Sequence, residues 1–141
     1  MKKESKTIAG ILLIIFPVIT YGGFSLLGII INAESGLAYN PLRQELWRAG
    51  HAHAGVLLLL ALVILLYVDA ANLTENTKKL IRIATPVAAV LFHAAFFLSV
   101  LDPYSTEPNA LITLAYPGVI ILTFTFITLG IGLLKKYFKE Q

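Results

Sequence analysis

The chain has 141 residues, 57% of them hydrophobic and 13% charged, with a net charge of +3 and no cysteine. Soluble domains carry about 25% charged residues, so this sequence has too little polar surface to cover a water-facing globule, and the bilayer is its natural solvent. The small net charge gives no case for nucleic acid as a partner, and the absent thiols exclude disulfides, thiolate metal sites and cysteine nucleophiles.

Met1-Lys2-Lys3 ahead of an apolar run imitates a signal peptide. The run over 8–31 is longer than the usual h-region of about 7–15 residues, and no A-x-A pattern ends it. About 20 apolar residues cross a bilayer, so the expectation is a retained first transmembrane helix. Pro17 and the pair Gly22-Gly23 lie inside it and can bend it.

Asn40-Pro41 is a helix start signal, because Asn caps well and Pro suits the first helical position. A second helix is expected to run unbroken over 41–71. Its first turns carry Arg43, Glu45, Trp47 and Arg48, which belong in the interface, where Trp is enriched. A third helix is expected over 77–100, with Pro86 near its start. A fourth is expected over 108–134, with Pro117-Gly118 inside it and a basic and aromatic belt, Lys135-Lys136-Tyr137-Phe138-Lys139, behind it. Of the outer tyrosines Tyr39, Tyr104 and Tyr116, the last is expected to face inward.

Neither a repeat nor a second domain is evident. The reading is all-α: a single four-helix transmembrane domain over 1–141, up-down in topology because its connections are short. Lys2, Lys3, Lys6, Lys78, Lys79, Arg82, Lys135, Lys136 and Lys139 all fall on one side of four spans. The positive-inside rule then puts both ends in the cytoplasm, as a multi-pass protein of the cell membrane. Its partners are the lipid bilayer and either a second copy or a membrane redox protein.

All three histidines lie within or at the edge of apolar segments. Ionisable groups at such depth are costly, face the bundle interior and mark function by default. Imidazole is also a versatile metal and heme ligand. His51, His53 and His93 are therefore the candidate metal or cofactor ligands. The first two are about 200° apart around a helix, so one metal cannot take both from a regular helix. Periodicity does not choose between them. Counted from the basic side, His93 falls in the same outer half as either, and it is expected to meet a helix-two histidine inside the bundle. Gly50 and Ala54 form a small-xxx-small pair that permits close helix approach.

The stretch Arg48-Ala49-Gly50-His51-Ala52-His53-Ala54-Gly55, followed by a Leu/Val run, resembles the start of the second helix in heme-copper oxidase and nitric oxide reductase large subunits. The resemblance covers about one helix in four. It implies His51 as an axial ligand of one heme b. The later helices that carry the second heme ligand and the copper histidines in those proteins have no counterpart, so an oxidase site is not implied. Arg48 and Arg43 lie near the ligand positions: as interfacial arginines they snorkel to headgroups or pair with Glu45, and alternatively their guanidinium groups match the carboxylate geometry of heme propionates.

The leading expectation is thus a heme b site of His51 and His93, with His53 and Arg48 beside it, serving electron transfer, heme handling or sensing. One alternative is a divalent metal or proton transporter or channel component that uses the same histidines. Another is a non-catalytic scaffold subunit. The sequence offers no nucleophile–base pair and no phosphate loop, and no enzyme activity is assigned.

Overall fold

The computed structural model describes residues 1–35 and 37–137, so Phe138 and Lys139 of the expected terminal belt lie outside the described residues. Four long helices follow one another: α1 at Lys3–Ile31, α2 at Pro41–Tyr67, α3 at Glu75–Leu98 and α4 at Ala115–Tyr137. All four are long and apolar enough to cross a membrane. Each packs on the next in sequence, with α2 and α3 at the centre and α1 and α4 on the flanks.

The start of α2 follows its expected cap. The Asn40 side chain accepts from the Arg43 N–H, and Pro41 opens the helix. The same Asn40 amide donates to Pro103 O at 2.9 Å and Ser105 O at 3.0 Å. The helix runs through both histidines without a break, but it ends at Tyr67 rather than at 71. Asp69 turns away there to receive hydrogen bonds from Lys2 N–H, Ser5 and Arg82. α3 begins at Glu75, two residues before the expected 77, because Thr74 caps it by accepting from Thr77 N–H, and it ends at Leu98 instead of 100. α1 starts at Lys3, five residues earlier than 8, since its first turn is held in the same Asp69 and Arg82 contacts.

The fourth segment differs most. Residues Ala110–Leu114 form a tight 3₁₀ stretch, and the α-helix begins only at Ala115. Pro117 explains this: it has no N–H for an i−4 bond, and its ring crowds the carbonyl of Thr113. Tyr116 faces outward, 70% exposed, against the expectation. The inward position at this level is Gly118, where a side chain would press on Ala88 O at 3.2 Å and on Phe92.

Three apolar clusters hold the bundle. Leu12, Leu58, Ala61 and Leu65 join α1 to α2. Leu57, Ala88, Ala89 and Leu122 join the middle of α2, α3 and α4, and Ile64, Val68, Ala71, Ile81 and Leu129 close the end that carries the termini. Large apolar side chains cover the outside, as on Ile14, Phe24 and Ile120, which is the surface a lipid-facing bundle presents.

Gly50 lets α2 and α3 meet closely. A Cβ there would come within 3.0 Å of the Phe97 ring and 3.1 Å of Phe96 Cβ. Gly50→Val is therefore expected to lower stability by about 1–3 kcal/mol through overpacking. Thermal unfolding in detergent micelles measures this, and an unchanged midpoint would show that the interface has room to spare.

Candidate functional site

The 200° separation of His51 and His53 sends their side chains to different neighbours. His51 lies on the face of α2 turned to α1. It lines a cavity of about 260 Å³ together with Trp47 and Ala54 of α2, His93 and Phe97 of α3, and Val18, Gly22, Ser25 and Leu26 among the α1 residues. Of the two helix-two histidines, His51 lines the mostly apolar cavity that His93 also lines, and His53 does not.

Glycine is what admits the His51 ring. A Cβ on Gly23 would collide with its Nε2 and lie 2.7 Å from its Cε1. The ring fills the space that any side chain at 23 would need. His93 is fixed differently. Its Nδ1 donates to Ala89 O, one turn back, at 2.7 Å. A carbonyl only accepts, so the proton of the neutral ring sits on Nδ1 and Nε2 keeps its lone pair. A backbone carbonyl behind one imidazole nitrogen commonly orients the other toward a metal. The Phe97 ring stands edge-on to His93 at 6.4 Å.

His53 makes the same bond to Ala49 O at 2.7 Å. Its ring, however, lies flat against Phe96, at 5.3 Å and 9° between planes, and meets Phe92 at 4.9 Å. It belongs to the α2–α3 interface and not to the cavity. The three histidines do not converge. Among the described residues, no three His, Asp or Glu side chains come together as a metal cluster.

The arginines also separate. Arg48 is exposed, and among the described residues it makes no ion pair. Arg43 is only 7% exposed. Its Nε donates to Val100 O at 2.9 Å, and its guanidinium lies 4.8 Å from the centre of the Trp47 ring. Trp47, expected in the interface, is half-buried against Phe97, and its Nε1 is buried with no hydrogen-bond partner. Arg43, Trp47 and His51 are spaced i, i+4, i+8 along one stripe, a periodicity that sequence alone contained.

Two imidazoles from different helices line one apolar cavity, and the His51 ring occupies the space that Gly23 leaves. The volume is below the usual range of about 300–1,000 Å³ for ligand pockets. A macrocycle needs more room than this cavity provides.

A second polar cluster, missed by reading Arg82 as a topology signal alone, sits at the end that carries the termini. Arg82 is 1% exposed. It donates to Asp69 Oδ1 at 2.6 Å, to Glu4 Oε2 at 3.0 Å and to Ser5 Oγ at 2.9 Å. Burial raises the Asp69 pKa, but hydrogen bonds from Arg82, Lys2 N–H and Ser5 outweigh it, and the carboxyl is held below its ordinary value of 3.8. This cluster is a structural clamp joining α1, the α2–α3 turn and α3.

The chain matches no family model, and no curated protein or solved structure is found to be similar to it.

Proposed function

We propose that this is a multi-pass protein of the cell membrane, with both ends cytoplasmic, that binds heme b between α1, α2 and α3 through His51 and His93. The observation that carries the reading is the shared cavity: the two histidines, from different helices, line the same apolar space. The side-chain contacts of His53 support its exclusion from the ligand set. The orientation rests on the Lys and Arg distribution.

In this reading His51 and His93 would hold the heme, with Ala89 O orienting the His93 ring and Gly23 making room for the His51 ring. The apolar walls would set the polarity of the pocket. Bound heme supplies one-electron chemistry, which suits transfer to a membrane redox partner, or else heme handling or sensing.

Protein expressed with ample heme and purified in mild detergent is expected to show a Soret band that sharpens and shifts on reduction, with the α-band of a low-spin b-type heme. Colourless protein that also refuses added hemin would overturn the heme reading. If such protein retained a stoichiometric divalent metal instead, the transporter alternative would take its place. If it retained neither, the scaffold alternative would.

A further inference from the structure

An apolar groove of about 450 Å³ lies between α1 and α3, toward the end that carries the termini. It opens because α1 packs along α2 rather than along α3. Ile8, Ile11 and Ile15 stand on one wall, and Ile83, Pro86 and Val90 on the other. From residue 82 to residue 91 the groove climbs about 14 Å along α3. That is close to one leaflet of a hydrocarbon core about 30 Å thick. A lipid acyl chain has the length and the chemistry for such a slot.

Each wall ends in a charge. Glu4 precedes Ile8, Ile11 and Ile15 by 4, 7 and 11 residues, and Lys79 precedes Ile83, Pro86 and Val90 by the same steps. That spacing keeps each on the groove side of its helix, and both are exposed. The two charges are opposite in sign, yet they do not pair across the groove. Glu4 pairs with Arg82 through one carboxylate oxygen, Oε2, at 3.0 Å. Among the described residues, no carboxylate lies within ion-pair distance of Lys79. The mouth of the groove therefore holds a separated anion and cation at the basic end of the bundle, where lipid head groups lie. A zwitterion complements such a pair, whereas a head group of one sign meets a like charge.

We infer that the groove seats one molecule of phosphatidylethanolamine. An acyl chain lies along the apolar walls, the head-group ammonium donates to Glu4, and the phosphate meets Lys79. An ammonium N–H on a carboxylate is a charge-assisted hydrogen bond, the stronger kind. Choline has no N–H to give, and a glycerol head group brings no cation for Glu4. The inference needs a bilayer but not heme, so its failure and that of the heme reading are separate.

Native mass spectrometry of the whole chain from mild detergent tests it. Phosphatidylethanolamine, phosphatidylcholine and phosphatidylglycerol with the same acyl chains are titrated one at a time. Wild type is expected to hold one phosphatidylethanolamine about tenfold more tightly than phosphatidylcholine, the least expected for a hydrogen bond to a charged group. Phosphatidylglycerol should bind no better than phosphatidylcholine. Glu4→Gln should erase the preference, and the variant should fold because that side chain is 64% exposed. Lys79→Ala should weaken both phosphate-bearing zwitterions alike. Val90→Trp fills the groove from a position 57% exposed and should abolish the bound lipid. Wild type that holds no lipid, that holds ethanolamine and choline lipids equally, or that prefers phosphatidylglycerol overturns the inference. So does a preference that survives Glu4→Gln or Val90→Trp, or binding that is indifferent to Lys79→Ala.

Discussion

Arg82→Met is expected to lower the stability of the bundle by about 3–5 kcal/mol, the range for removing one partner of a buried ion pair. Methionine has a similar length, so the loss is electrostatic and not a cavity. What remains is Asp69, its side chain 13% exposed, with its strongest partner gone. Glu4 adds little to the figure, because it is 64% exposed and turns to water. Unfolding in mixed micelles, followed by helical signal, measures the change. A loss under about 1 kcal/mol, the range of an exposed pair, would mean that water already reaches the cluster.

The same cluster sets the acid response. The Asp69 pKa is lower in the folded chain than its ordinary 3.8. Its stabilisation is therefore complete above that value and is lost as pH falls through the depressed folded pKa. The wild-type midpoint should be flat from pH 7 to about pH 5 and should drop below about pH 4. Arg82→Met should flatten that acid limb, because the bond that lowers the pKa most is gone.

The second large effect concerns the histidines. His93→Ala and His51→Ala are each expected to abolish heme retention through purification, a loss beyond the roughly 10–100-fold typical of a group that only supports a ligand. Loss of His93 removes a nitrogen anchored by Ala89 O. Loss of His51 removes the one ring that Gly23 makes room for. His53→Ala should keep the Soret band, since that ring stacks on Phe96 and Phe92, away from the cavity. Difference spectra on all three variants decide this. Loss of the band in His53→Ala alone would keep a heme protein but reverse the ligand assignment.

How far the sequence carried can be traced residue by residue. The four spans were legible because long apolar runs and K/R-rich breaks need no tertiary information. The Asn40-Pro41 start was legible because a cap is local chemistry. The ends were less so: α2 stops at Tyr67 because Asp69 is claimed by residues far off in sequence, Ser5 and Arg82. Pro117 was visible, but its effect, a 3₁₀ stretch ahead of α4, depends on how the loop before it is held. Asn109 holds it, taking Ser99 O and Leu98 O as acceptors. In the site, the opposed directions of His51 and His53 followed from helix geometry. The choice of His51 for the shared cavity did not, because it turns on Gly23 from a different helix. Arg43 looked like an interfacial cation by position, and only its contacts across the bundle to Val100 and Leu101 show it buried.

The clamp around Arg82 also bears on biogenesis. Its bond to Asp69 spans 13 residues and closes within the α2–α3 hairpin, whereas its bonds to Ser5 and Glu4 span 77 and 78. Contacts between neighbours in sequence form readily, and distant ones wait on chain closure. The helix made first therefore packs on α2 before the polar half of its docking place, Arg82, is made. The hairpin of α2 and α3 is the natural nucleus, already neutral at Arg82 through Asp69, and the α1 clamp closes onto it afterwards. An insertase that held the first segment aside until residue 82 emerged would suit this order. Fragments ending before α3 should leave α1 held to α2 by its apolar cluster alone, without the clamp, and more open to quality-control proteases than the complete bundle.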